Sequence, residues 1–340
     1  MSAETKKLSE FVKDSSKSLI DRLECYEDII NLEVGDTGLN RAKSLEREVD
    51  MRQLFIKYEG DNPTGTQKDR IAFAQVYDAL RREYNEVSLA TCGNYGVAVA
   101  LAANLAGIGC KIFIPDSYTT ERFEEMEVLG AEIIQLPGSY EDVVTRSSKL
   151  AQKHDWYDAN PGGVNTPLQI TAYSQIALEI MEELGDAPRL CACPVSNGTL
   201  LAGIYRGFVS LYKRGKTSRI PKMIAASSTR KNPIVQSFKL GLDQCMDLSP
   251  DVIRETKYNE PLVNWHSFDG EEALYAIRQS EGDAYNISDK KMKEMSNFLL
   301  KKEGLRILPA ATAGLVALLE MNEKMDFEPD RYVAVITAKW

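Results

Sequence analysis

The sequence predicts an α/β fold in two lobes, with mainly parallel sheets and helices on both faces. Short runs rich in β-branched residues alternate with longer runs of helical periodicity along most of the chain. The chain has 340 residues, 44% of them hydrophobic, enough to bury a full core in one large unit or two. Small polar, glycine-containing turns recur where strands give way to helices, the places where parallel sheets collect ligands.

Residues from Leu8 to about Leu32 read as an amphipathic helix, followed by a turn at Gly35-Asp-Thr-Gly38. Leu54 to Tyr58 is a short strand running into the loop Asn62-Pro-Thr-Gly-Thr-Gln-Lys-Asp-Arg70. Pro63 and Gly65 punctuate that loop, Thr66 and Asp69 have capping-box spacing, and Ile71, Ala74, Tyr77 and Leu80 recur at helical spacing. Lys68 therefore falls in the first turn of a helix, where the helix dipole and unpaired N–H groups disfavour a cation. In a dry site its neutral amine becomes a nucleophile or base. The plain alternative is a solvated surface lysine.

Val87 to Thr91 is strand-like and enters Cys92-Gly-Asn-Tyr-Gly96, followed by a small-residue helix from Val97 to Ala106. A strand at Lys111–Pro115, a helix at Thr119–Leu129, a strand at Ala131–Leu136 and a helix at Tyr140–Lys153 come next. The alternation continues with a helix at Leu168–Leu184, a strand at Leu190–Val195, a helix at Leu200–Lys213 and a strand at Lys222–Ser227. A helix over Ala313–Lys324 and a strand at Tyr332–Thr337 close it. Gly241 to Asp269 has the weakest periodicity and reads as a long surface excursion.

Composition narrows the function. A net charge of −9 without a basic run disfavours a nucleic-acid partner. No stretch has the length of a membrane span or a secretory signal, so a cytoplasmic location is expected. The six cysteines form no CxxC pair and read as scattered thiols in a reducing compartment. His154 and His266 are the only histidines, without ligand spacing around either, so no metal site is expected. No GxSxG elbow and no GxGxxG appear. Gly60 to Lys68 approaches a phosphate loop, but two residues separate Gly65 from Lys68, and Asp69 stands where a magnesium-binding hydroxyl belongs.

Three junctions remain. One carries Lys68, the second is Thr91-Cys-Gly-Asn-Tyr-Gly96, and the third is Pro194-Val-Ser-Asn-Gly-Thr-Leu200. The second suits a carboxylate and the third a phosphate monoester, because each offers backbone N–H groups at a helix start. Each alone is ordinary turn chemistry. Together they point to a lysine-bound cofactor with a phosphate, and pyridoxal phosphate (PLP) fits.

The segment Asn62–Arg70 resembles the NPTGSFKDR segment of threonine synthases, with Thr66-Gln67 in place of Ser-Phe. Gly35-Asp-Thr-Gly-Leu39 stands for GxTPL, Thr91-Cys-Gly-Asn-Tyr95 for SSGNT, and Pro194-Val-Ser-Asn-Gly-Thr199 for PVGNAG. Pro309-Ala-Ala-Thr-Ala313 resembles the tail of EPASAA, and Val335-Ile-Thr337 the end-strand VLTG. In this order, over roughly residues 30 to 340, the chain is similar to the tryptophan-synthase-β-like PLP enzymes, or fold type II. The resemblance implies a large PLP-binding domain of residues 1–57 and 163–340 and a smaller, mobile substrate-closing domain of residues 58–162. It implies that Lys68 carries the cofactor, Asn94 donates to its 3′ oxygen, and Val195, Ser196, Asn197, Gly198 and Thr199 cradle its phosphate. Thr337 would sit at the pyridine nitrogen, while Thr91, Cys92, Gly93 and Tyr95 surround the substrate carboxylate.

The resemblance further implies a homodimer acting on a small amino acid by elimination or replacement. The substrate would be O-phosphohomoserine or another activated amino acid; O-phosphoserine, O-acetylserine, serine and threonine are alternatives, and an inactive scaffold is the reading outside enzymes. Three departures bear on substrate choice. Leu308 stands where EPASAA has its glutamate, Tyr95 replaces a small threonine, and the chain reads Thr337-Ala-Lys-Trp340 without the TGHG continuation. Arg122 is the candidate for a substrate anion, with a solvated helix face as its equal alternative.

Overall fold

Isoleucine, alanine and leucine are the commonest residues of the strand segments, and the strands assemble into two sheets. The computed structural model describes residues 1–91, 93–118, 122–325 and 327–340. These fall into two units, Met1–Gly35 with Asn62–Ala172, and Asp36–Asp61 with Tyr173–Trp340.

The first unit holds a four-stranded, wholly parallel sheet in the order Glu132–Leu136, Gly109–Pro115, Glu86–Ala90, Tyr157–Asp158. Its helices include Lys68–Arg81, Asn94–Ala106, Phe123–Val128 and Tyr140–His154. The second unit holds a six-stranded sheet in the order Leu39–Arg41, Leu54–Tyr58, Tyr332–Ile336, Leu190–Pro194, Lys222–Ser228, Asp283–Ile287. Only the edge strand Leu39–Arg41 runs antiparallel. The expected α/β class with mainly parallel sheets is what the chain adopts.

The strands of the second sheet read as near-continuous apolar runs because both faces are covered. Leu54, Ile56, Ala192, Ile224, Ala334 and Ile336 are buried together with Leu315 and Leu318 of the Ala313–Met325 helix. Burying a leucine or isoleucine side chain of this kind contributes about 1.5–3 kcal/mol. Since Tyr332–Ile336 and Leu190–Pro194 are parallel neighbours, Thr337 and Val195 leave the same edge of the sheet. That edge is where a parallel sheet presents its ligand-binding loops.

Several elements differ from expectation. The helix read from Leu8 to Leu32 is two helices, Ala3–Lys13 and Leu19–Glu33. The Asp14 carboxylate accepts from the N–H (2.9 Å) and hydroxyl (2.6 Å) of Ser16, and Ser18 caps the second helix at Asp21 N–H (3.1 Å). Such local side-chain bonds compete with helix continuation. The first 35 residues belong to the first unit. Tyr26 stacks on Phe73 with centroids 6.2 Å apart and donates its hydroxyl to Ala102 O at 3.0 Å. Gly270–Gln279, Asp283–Ile287 and Asp289–Glu303 lie outside the elements read from sequence. Thr119 and Thr120, the start of an expected helix, lie outside the described residues, and the helix there is Phe123–Val128.

Lys57 sits on a central strand of the second sheet and is fully buried, an unusual place for an ammonium. It pairs with the Glu179 carboxylate and donates to Thr37 O. Removing one member of a buried ion pair strands the other charge in a poor solvent. Lys57→Ala should therefore lower the unfolding free energy by about 3–5 kcal/mol in urea titrations, whereas a solvated pair would give a change near zero.

Candidate functional site

Lys68 opens the helix Lys68–Arg81, and the turn before it is held differently from a capping box. The N-cap residue is Gln67, which makes no side-chain cap bond. Thr66 Oγ1 accepts from the Lys68 N–H at 3.3 Å. Asp69 reaches back past Thr66, and its carboxylate accepts from the N–H (2.9 Å) and hydroxyl (2.9 Å) of Thr64. Asp69 is fully buried, so these bonds fix the loop rigidly around the lysine. The capping box expected between Thr66 and Asp69 does not form: the Thr66 hydroxyl accepts from Lys68 N–H, and Asp69 binds Thr64 two residues before Thr66.

Tyr95 lies in the first turn of the helix Asn94–Ala106, which packs against the Lys68–Arg81 helix. Lys68 Nζ is 5.1 Å from the centroid of the Tyr95 ring, a cation–π distance. The ring is pinned from behind. Its hydroxyl donates to Ala159 O at 2.7 Å and accepts from Gln75 Nε2. Gln75 Oε1 accepts from Gln169 Nε2 at 3.1 Å, and Gln169 also donates to Asn160 O at 3.0 Å. Gln75, Gln169 and Asn160 are all buried. A buried, satisfied amide network of this kind specifies one ring position. Sequence reading did not find Gln75 or Gln169, because an isolated glutamine on a helix carries no motif.

The first turn of the helix Asn94–Ala106 is closely packed, while the residue before it is open. A Cβ at Gly96 would lie 2.7 Å from Met126 Cε and 2.8 Å from Thr91 Cγ2, so a larger residue there would displace the Met126 side chain of the helix Phe123–Val128 and the methyl of Thr91. A Cβ at Gly93 would meet nothing within 4 Å. Neither the Asn94 N–H nor its side-chain amide bonds any of the described residues. Thr91 is buried, and Cys92 lies outside the described residues. Arg122 immediately precedes Phe123–Val128; its guanidinium pairs with Glu125 at 2.9 Å and is about one-third exposed.

In the second unit, Val195 to Gly198 join the strand Leu190–Pro194 to the helix Thr199–Lys213. The N–H groups of Ser196, Asn197, Gly198 and Thr199 donate to no acceptor among the described residues. Four free donors at a helix start make an anion site. Gly198 has φ +101°, and a Cβ there would lie 2.7 Å from Asp269 O. The Thr199 hydroxyl donates to the Asp269 carboxylate, so Thr199 offers an incoming anion its N–H. Thr337, just past the strand Tyr332–Ile336, is buried, and its hydroxyl makes no bond among the described residues.

Other candidates for chemistry are accounted for. Burial pushes the thiols of Cys110 and Cys191 up to about 12 and that of Cys193 upward, which removes them as nucleophiles near neutral pH. His154 stacks on Trp156, and His266 Nδ1 is 2.8 Å from Asp247 Oδ1. Among the described residues no cluster could hold a metal ion, and no helix is long and apolar enough to cross a membrane. Trp340 is exposed.

The family model described as pyridoxal-phosphate dependent enzyme matches residues 30–338, and the chain belongs to that family. It is threonine synthase-like in sequence: the threonine synthase of Methanocaldococcus jannaschii is 28% identical over 328 residues, 96% of this chain and 76% of that protein. Maize serine racemase has the same fold, with a TM-score of 0.76 and 20% identity over 94% of each chain. The processed threonine deaminase isoform 2 of Solanum lycopersicum superposes with a TM-score of 0.73 and 18% identity, covering 94% of this chain and 85% of that one. The cofactor is therefore PLP, and residues of the second unit suit it: four N–H groups at Ser196–Thr199 without an acceptor among the described residues have the chemistry to hold a phosphate, and the hydroxyl of Thr337 lies at the same edge of the sheet. Gly198→Ala should raise the PLP dissociation constant of the apo-protein at least about tenfold, since the new Cβ is strained at this φ and strikes Asp269 O. Fluorescence titration with PLP checks this, and an unchanged constant would remove the loop from the cofactor site.

Proposed function

We propose that this PLP-dependent enzyme catalyses elimination or replacement on an amino acid carrying a leaving group, in the manner of a threonine synthase. The observation that carries the reading is Lys68 at a helix start, 5.1 Å from a ring that a buried network pins in place. In this reading Lys68 Nζ carries the cofactor and, once displaced, removes the proton from the substrate Cα. When bound, PLP supplies an electron sink for the charge that develops there.

The other residues bind and orient. Asn94 donates to the oxygen beside the cofactor's aldehyde, and the N–H groups of Ser196, Asn197, Gly198 and Thr199 hold the phosphate. Val195 supports that loop from the sheet edge. Thr337 presents a neutral hydroxyl to the ring nitrogen, which suits elimination and replacement over transamination. Thr91, Cys92, Gly93 and Tyr95 receive the substrate carboxylate, and Arg122 receives an anionic leaving group by exchanging its bond to Glu125. The substrate is a small amino acid, and the active species is a homodimer.

O-phosphohomoserine is the first substrate to test, given the threonine synthase relatives. Tyr95 favours a second reading. Its fixed ring takes volume where those enzymes have a threonine, which favours a shorter substrate such as O-phosphoserine, with chemistry at Cβ.

Lys68→Ala should abolish turnover, and Thr337→Ala should lower it while leaving the product the same. Steady-state assays on a panel of O-phosphohomoserine, O-phosphoserine, O-acetylserine, serine and threonine discriminate the readings. Threonine with phosphate marks the first, and pyruvate with phosphate marks the second. Near-normal activity in Lys68→Ala would contradict both.

A further inference from the structure

Gly241 to Asp269, which reads from sequence as a surface excursion, is wired into the phosphate loop. Ser196 O accepts from Asn232 Nδ2 at 3.0 Å and from Ser267 Oγ at 3.1 Å. Asn197 O accepts from the Asp269 N–H at 3.0 Å. Val195 O accepts from Ser227 Oγ at 2.8 Å, and Gly198 O from the Ala202 N–H at 3.1 Å. Asn264 ties the donors together. Its Oδ1 accepts from Asn232 Nδ2 at 2.9 Å, and its Nδ2 donates to Ser267 Oγ at 2.8 Å and to His266 O at 2.7 Å. Asn232, Asn264, Ser267 and Ser227 are all buried.

The bonding has a consequence fixed by peptide geometry. In a planar trans peptide, the C=O of one residue and the N–H of the next point in opposite directions. The four held carbonyls are those of Val195, Ser196, Asn197 and Gly198. The four N–H groups that follow them are those of Ser196, Asn197, Gly198 and Thr199, the same four without an acceptor among the described residues. Each carbonyl drawn back turns one donor away from the protein.

We infer that residues 232–269 form the positioning device of the phosphate loop, with Asn232, Asn264 and Ser267 as its positioning residues. They touch no part of the ligand and act through the loop carbonyls. The network sets how well the loop grips a phosphate and has no effect on the rest of the cofactor. This rests on the assignment of the loop at Val195–Thr199 to the cofactor phosphate.

The test compares two aldehydes that differ only in the phosphate, PLP and pyridoxal, on apo-protein of the full chain. Asn232→Asp keeps the oxygen that caps Val235 N–H and removes the amide donor to Ser196 O and to Asn264 Oδ1, leaving Ser267 Oγ as the remaining donor to Ser196 O. It should weaken PLP about tenfold or more, and change pyridoxal by less than about twofold. The ³¹P resonance of bound PLP should shift as well. If Asn232→Asp does not fold, Ser267→Ala, which deletes one of the two donors to Ser196 O, carries the same comparison with a smaller loss. Equal weakening of both aldehydes, or unchanged PLP affinity, overturns the inference. Gly198→Ala separates the causes: PLP affinity lost there but kept in Asn232→Asp sinks only the positioning role, and PLP affinity kept in both sinks the loop assignment itself.

Discussion

A loop without a single lysine or arginine can hold an anion only through backbone N–H groups and neutral side chains, and in the second unit the loop Val195–Thr199 is built under that constraint. Val195 to Thr199 contain no cation. An anion bound there would depend on the fixed direction of four peptide planes, because preorganised dipoles are worth more than mobile ones. Fixing those planes requires buried donors for the carbonyls, and buried donors must themselves be satisfied. Asn232, Asn264 and Ser267 answer both needs at once, with every amide atom of the pair engaged. Parallel pairing of Leu190–Pro194 with Tyr332–Ile336 then brings Thr337 to the same sheet edge.

The first unit solves a different problem, that of holding a flexible lysine in one place. The Lys68 backbone is fixed by Asp69 and Thr64, and its amine lies near a ring whose hydroxyl is locked by Gln75 and Ala159 O. With that hydroxyl donating to Ala159 O and accepting from Gln75, Tyr95 presents its ring to the Lys68 amine at a cation–π distance. Its bulk is the feature of the site that departs most from the threonine synthase pattern.

Much of this was legible in the residues. The strand and helix alternation around Lys68, Asn94 and Ser196 carries strong periodicity, and each loop falls at a junction where parallel sheets bind ligands. The helices around Gly270 to Glu303 and the two-residue strand Tyr157–Asp158 were not legible. A strand that short has no alternation to detect. The break at Asp14 to Ser18 was also hidden, because Asx turns and caps there interrupt an otherwise continuous apolar stripe. The Gly241–Asp269 segment lacks periodicity because its work is done by side-chain bonds to a distant loop, which have no spacing rule. Gln75 and Gln169 escaped for the same reason.

The central claim is that Lys68 anchors PLP in the protein as isolated. Borohydride reduction followed by peptide mapping tests it most directly. Reduction should remove the visible cofactor band and leave a phosphopyridoxyl group on the peptide that contains Lys68. A phosphopyridoxyl group on a different lysine, or no modified peptide from a PLP-saturated preparation, would contradict it.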